Sequence, residues 1–217
     1  MPTDVSEPTY SKALELVDEA ARRRLAREPD GFDEKTWRAH IAGVAESARV
    51  LAARLPGIDP ERMRVFGLLH DIGKRWSETA RHVFHGLSGY HYMKAFGYRD
   101  TARICLTHSF ILKDSRANLL PNPDDTIGEA YALLKDIPYN DEDRLIQLCD
   151  WLNDCGTPCT IAYRASSIIR RYPAFDPERT LRLAEAVQSL KSEFDRRCGE
   201  DVYTVLGIAS FDDPGQR

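Results

Sequence analysis

The 217-residue sequence predicts an all-α helical bundle carrying additional helices at both ends, on two observations. Apolar residues recur at steps of three and four through most of the chain, the period of a helix with one buried face. Clusters rich in Pro, Gly, Asp and Asn punctuate those segments at helix-length intervals, where turns and caps belong. There are no internal repeats or low-complexity tracts, so residues 1–217 read as a single domain with its core at about 36–172, an N-terminal helix within 9–28 and a C-terminal helix at 177–198.

The first helix, 10–27, carries Leu14, Val17, Ala21 and Leu25 on one face, and Glu28-Pro29-Asp30-Gly31 ends it. The second, 33–55, carries Trp37, Ile41, Val44, Ala48, Leu51 and Leu55, with His40 on the same face. Asp59 and Pro60 then provide an N-cap and a first helical residue. The helix they open carries Val65, Phe66, Leu69 and Ile72 and is expected to run to Gly73. A fourth helix begins near Gly86, with His85, Gly89, Tyr92 and Phe96 in one stripe and Gly97 as its stop. The short helix 100–109 places Ile104 four residues before His108.

Residues 113–140 are the least regular part, with one short helix at 126–135 between two loops. Long interruptions of this kind are more often functional than inert, so the segment is a candidate substrate lid. Asp141 is expected to cap a helix bearing Leu145, Leu148, Cys149 and Leu152, with Asp150 four residues after Ile146. Helices at 160–172 and 177–197 follow, the last with a stripe of Leu181, Ala184, Val187, Lys191 and Phe194. Residues 202–208 fit strand as well as helix.

The composition narrows the function. No apolar run approaches the ~18 residues of a membrane span, and the polar N-terminus lacks a signal-peptide core, so a cytoplasmic protein is expected. Five cysteines without framework spacing read as reduced thiols; Cys155 and Cys159 have the spacing of half a zinc knuckle but no second pair. A net charge of −4 lacks the basic footprint of a nucleic-acid polymer binder. It is compatible with a small phosphorylated substrate, since bound cations would dominate the local field.

The chemistry concentrates in polar residues on apolar faces. His70-Asp71 closes the run Phe66-Gly67-Leu68-Leu69, and His40, His85, His108 and Asp150 lie on faces that otherwise read as buried. Each alone is explained by a hydrogen-bonded core residue. Together, without a metal, they would leave several unpaired buried polar groups at roughly 1–3 kcal/mol each. Imidazole nitrogens and carboxylate oxygens converging in a helical core are what a divalent first-row metal requires. Lys74 lies one turn after His70, on the same side. His91, six residues past His85, is turned away from the site, and both His91 and His82 read as non-ligands. His82 remains a candidate substrate contact, and Arg99, Arg103, Lys113 and Arg164 are candidate phosphate contacts.

This pattern resembles the HD superfamily of metal-dependent phosphohydrolases. The matching elements are His40, His70-Asp71, Lys74 in His70-Asp71-Ile72-Gly73-Lys74, His85 in His85-Gly86-Leu87-Ser88-Gly89, His108 and Asp150, over about residues 36–152. The two histidines between the His-Asp pair and the last aspartate are similar to the subgroup that binds two metals. Within it, the runs at 85–89, 96–98 and 104–108 look like the bacterial di-iron hydrolases that split diadenosine tetraphosphate symmetrically. Ser109-Phe110-Ile111-Leu112 after His108, and Trp151-Leu152-Asn153-Asp154-Cys155 after Asp150, depart from those hydrolases, as does the longer stretch between His108 and Asp150. The departures concern the substrate and leave the ligand positions in place.

The resemblance implies an HD-domain helical bundle with two divalent metal ions, iron first and manganese second. His40, His70, Asp71 and Asp150 would hold one ion; His85, His108 and a bridging Asp71 would hold the other. A metal-bridged hydroxide would attack a nucleotide or another small phosphorylated substrate. Asp71 and Lys74 would be catalytic, with Lys74, His82 and Arg164 touching substrate. Two rivals remain: a mixed-valent di-iron oxygenase, which has a related set of six ligands, and a non-catalytic regulatory module. Such oxygenases are associated with histidine at the position of Lys74, and such modules commonly lose ligands.

Overall fold

The computed structural model describes residues 6–75, 84–113, 125–173 and 176–209. The fold is all-α. The described residues form α1 (Tyr10–Leu25), α2 (Glu34–Ala52), α3 (Pro60–Leu69), a 3-10 turn (Ile72–Arg75), α4 (His85–Ala95), α5 (Arg99–Thr107), α6 (Asp125–Lys135) and α7 (Asp141–Trp151). An antiparallel hairpin of β1 (Asn153–Asp154) and β2 (Thr157–Pro158) follows, then α8 (Ile161–Arg171), α9 (Pro177–Cys198) and α10 (Val202–Val205). No helix among the described residues is long and apolar enough to cross a membrane.

The helix starts are written in side chains. Thr9, Asp33, Asp59, Thr160 and Asp176 each accept a hydrogen bond from a backbone N–H of the first turn, with Pro60 and Pro177 in the first turns of α3 and α9. At α7 the cap is Asn140, not Asp141. Asn140 Oδ1 accepts from the Asp143 N–H at 3.1 Å, and the Asp143 carboxylate accepts from the Asn140 N–H at 2.9 Å. Asp141 is thereby freed to pair with Arg197 at the surface. The ambiguous run 202–208 opens as the short helix α10 behind an Asp201 cap.

Three of the expected apolar stripes are rotated or cut. Leu14 is exposed because α1 buries Ala13, Leu16, Val17, Ala20, Ala21 and Arg24, a face about 100° away. Leu181 is exposed because the buried face of α9 is set by Thr180, Val187, Leu190, Lys191 and Phe194. Phe96 falls just past the end of α4 and stays exposed, stacked on Tyr98.

One core cluster joins α2, α3, α5, α7, α8 and α9 through Val44, Phe66, Ile104, Leu148, Ile161 and Phe194. A second seats α1 and α4 on the other side of α2 and α3, through Leu16, Ile41, Leu69, Ile72 and Met93. A third, around Phe84, Leu87, Leu106 and Leu134, gathers α4, α5 and α6. The α2–α3 crossing is the tightest link. A Cβ on Gly67 would lie 2.4 Å from Ala45 Cα, so only glycine lets the two backbones approach this closely. The five cysteines are free thiols, with Cys105, Cys149 and Cys159 buried, and the reading of reduced packing residues fits them.

The middle of the candidate lid, residues 114–124, lies outside the described residues. The expected helix at its end is α6.

Candidate metal centre

α3 stops at Leu69, four residues before the expected end at Gly73. His70 caps it, and the chain tightens into the 3-10 turn Ile72–Arg75. The two adjacent side chains, His70 and Asp71, lie at this helix end, where His70 Nε2 and Asp71 Oδ2 stand 3.8 Å apart. Gly73 makes the next step possible: a Cβ there would sit 1.8 Å from the His85 carbonyl oxygen, so the turn packs directly on the start of α4.

His85 opens α4, His108 caps the end of α5, and Asp150 occupies the last turn of α7. His40 comes from the middle of α2. The C-terminal ends of α3, α5 and α7 therefore meet at one place, and their partial negative charges favour a cation there. All six side chains are largely withdrawn from solvent, with Asp71 only 2% exposed.

Asp71 organises the cluster. Its Oδ2 lies 3.8 Å from both His40 Nε2 and His70 Nε2, and its Oδ1 lies 3.2 Å from His85 Nε2 and 3.5 Å from His108 Nε2. Asp150 Oδ1 completes the first side, 3.0 Å from His40 Nε2 and 3.9 Å from His70 Nε2. Among the described residues, two groupings of donors lie within 4.8 Å of one another: His40, His70 and Asp150, and His70, Asp71 and His108. His70 belongs to both.

These donors fit a divalent cation. His70 is fully buried and its Nδ1 is engaged at 2.7 Å by the Gly67 carbonyl, which leaves Nε2 as a buried lone pair with no hydrogen-bond partner. His108 Nδ1 is held in the same way by the Cys105 carbonyl at 2.8 Å. Backbone carbonyls that orient an imidazole and fix its tautomer are the usual support of a metal ligand. Metal–ligand bonds of about 2.0–2.2 Å place neighbouring donors roughly 3–3.5 Å apart, and several of these pairs already stand at that spacing.

The electrostatics keep the donors in their binding forms. Burial lowers the His70 pKa to about 3, so its imidazole is neutral. Burial pushes the Asp71 carboxyl upward, but the Lys74 ammonium, followed by His70, His108 and His85, holds it well below its ordinary value. Asp150 is likewise raised by burial and lowered further by its hydrogen bond and charge interaction with His40, then by His70 and Arg164.

The family model described as HD domain matches residues 37–153, more than half of the chain and a range that contains all six of these side chains. The chain belongs to the HD-domain family. HD-domain proteins are mostly metal-dependent hydrolases, and this HD domain carries His/Asp groupings fit for a metal. No curated protein and no solved structure matches the chain.

The other sequence candidates distribute differently around the HD domain. Lys74 Nζ donates to Asp71 Oδ2 at 2.6 Å, on the cluster itself. His91 is exposed and 2.8 Å from Glu129, as its angle on the helix implies. Arg103 pairs with Glu142 at 3.0 Å, Lys113 lies over the Tyr139 ring, and Arg99 is exposed. Arg164 pairs with Asp154 at 2.6 Å. His82 lies outside the described residues.

Sequence reasoning missed two residues. Ser109 Oγ sits 2.8 Å from His108 Nε2, the nitrogen that faces Asp71, and its only signal was adjacency to His108. Asp154 is buried in the β1–β2 hairpin, where a two-residue strand leaves no periodicity to read.

Proposed function

We propose that this HD domain is a metal-dependent phosphohydrolase acting on a nucleotide or another small phosphorylated substrate. The observation that carries the reading is the division of Asp71, one oxygen toward His40 and His70 and the other toward His85 and His108. That division suits a carboxylate bridging two ions. His40, His70, Asp150 and Asp71 Oδ2 would hold one, and His85, His108 and Asp71 Oδ1 the other, with iron first and manganese as the alternative. When bound, such ions supply Lewis acidity toward phosphoryl oxygens and a nucleophile at neutral pH.

The chain's own groups do the rest. The Gly67 and Cys105 carbonyls keep the Nδ1 protons of His70 and His108 turned away from the centre. Lys74 sets an ammonium next to Asp71, with 37% of its side chain exposed. It would meet the negative charge that develops on a transferring phosphoryl group. Ser109 offers a hydroxyl at the His108 side, suited to orient a phosphate oxygen or the attacking water.

Anaerobic purification, metal analysis and a nucleotide panel scored for release of phosphate or nucleoside diphosphate test the reading. Close to two metal ions per chain with turnover on the panel supports it. Oxygen consumption with a mixed-valent spectroscopic signal, and no phosphate release, would replace it with the oxygenase reading.

A further inference from the structure

The chain turns sharply after α7, and β1 begins three residues past Asp150. Asp154, only 8% exposed, gathers three side chains from α8. Its Oδ1 accepts from Arg164 Nη1 at 2.6 Å and from Arg171 Nη2 at 3.0 Å, and its Oδ2 accepts from Ser167 Oγ at 2.7 Å. Residues 164, 167 and 171 follow one helical stripe, so a single face of α8 is turned onto this carboxylate.

The charges do not cancel. One carboxylate faces two guanidiniums, which leaves one positive charge in excess at the hairpin. Arg164 uses one N–H on Asp154, and a guanidinium has five, arranged in a fork that matches phosphate. Its side chain keeps 16% exposure, enough to meet a ligand while Asp154 holds it in place. Its charge also reaches Asp150. Asp154 and α8 lie beyond residues 37–153, which the HD-domain model matches.

We infer that Arg164, oriented by Asp154 and supported by Arg171, is an anion subsite that binds a second phosphate of the substrate while the first lies at the Asp71 centre. This rests on the phosphohydrolase reading and narrows it: the substrate is a di- or polyphosphate, not a lone monoester. The fork binds the non-reacting phosphate through charge-assisted hydrogen bonds and takes no part in bond breaking.

The test uses the full-length protein with its metals, its Arg164→Gln and Arg164→Lys variants, and inorganic pyrophosphate as the titrant in calorimetry. Wild type should bind pyrophosphate more tightly than inorganic phosphate. Arg164→Gln should weaken pyrophosphate binding by about 10–100-fold, the loss expected for hydrogen bonds to a charged group, at unchanged metal content. In turnover, the loss should fall mainly on the KM of nucleoside di- and triphosphates. Arg164→Lys retains the charge opposite Asp154 and serves if the Gln variant melts early; it should still lose several-fold, because lysine offers no planar fork. Wild-type pyrophosphate affinity in a folded Arg164 variant overturns the inference. Absence of turnover on every nucleotide would fell the phosphohydrolase reading, while the pyrophosphate titration still decides the subsite.

Discussion

His85 Nε2 and His108 Nε2 face each other at 3.2 Å, and Asp71 Oδ1 lies within 3.5 Å of both. With His108 Nδ1 donating to the Cys105 carbonyl, its Nε2 is a lone pair. A proton or a cation must therefore stand between the two rings. A bound divalent ion removes that proton requirement and adds stability by mass action. A site filled at ~100 times its Kd contributes about 2.7 kcal/mol, equivalent to roughly 5–10 °C in a domain of this size. Differential scanning calorimetry with and without chelator should show a drop of that order; identical melting curves would mean that no ion is held in the folded chain.

Asp71→Asn should lose one or both ions. An amide nitrogen is a poor bridging ligand, and the variant also removes the negative charge that the surrounding histidines and Lys74 share. His91→Ala is the matched control, because His91 touches only surface Glu129 in the described contacts around its imidazole nitrogens. Metal analysis should show depletion in the first and full occupancy in the second. Full occupancy and normal turnover in Asp71→Asn would remove Asp71 from the bridging role.

Lys74 should matter for rate more than for metal content. Its ammonium pairs with Asp71 Oδ2, an oxygen that a bound ion would also use, so the ion and Lys74 share one acceptor. Lys74→Ala should leave stoichiometry intact yet lower phosphohydrolase turnover by about 10²–10³-fold, the scale seen for donors to developing charge. An unchanged rate would reduce Lys74 to a partner of Asp71 in the resting protein.

Gly67→Ala tests the packing that sets the distance between His40 and His70. Its methyl group would meet the Ala45 backbone, which cannot yield without separating α2 from α3. Overpacking of this kind costs about 1–3 kcal/mol, and the widened crossing should weaken metal binding as well. Denaturant unfolding and metal titration measure the two effects; a neutral result in both would show that the helices can part freely.

Stability should respond to acid through Asp154. Burial alone would raise its carboxyl, but the Ser167 hydroxyl, Arg164 and Arg171 overcome that and hold it below its ordinary value. A depressed folded-state pKa contributes stability above the unfolded value, about pH 4, and loses it as pH falls through the folded value. Asp154→Asn should therefore destabilise the protein at pH 7 by about 1–3 kcal/mol, with the gap to wild type closing below about pH 4. A gap that stays constant across that range would show that the carboxylate charge is irrelevant to the fold.

Much of this molecule is legible in its residues. Asp59-Pro60 announces a helix start because capping and proline geometry are local. His40, His70, Asp71, His85, His108 and Asp150 stand out because ionisable groups on apolar faces need a shared partner. Stripes failed where two faces competed: Leu14 and Leu181 satisfy the helical period yet lie about one residue's rotation from the face that is covered. The hairpin holding Asp154 was invisible, since two-residue strands carry no period.

Residue types and their spacing by themselves determined that the chain is helical and that six histidine and aspartate side chains sit on inward faces. Only the tertiary structure decided that α3 ends at Leu69, that Gly67 and Gly73 bring three backbones together, and that Asp71 divides its oxygens between two pairs of histidines. The helical period sets the direction of a side chain about its own axis. The distance between axes is set by what packs between them, and no single segment of sequence contains both sides of that contact.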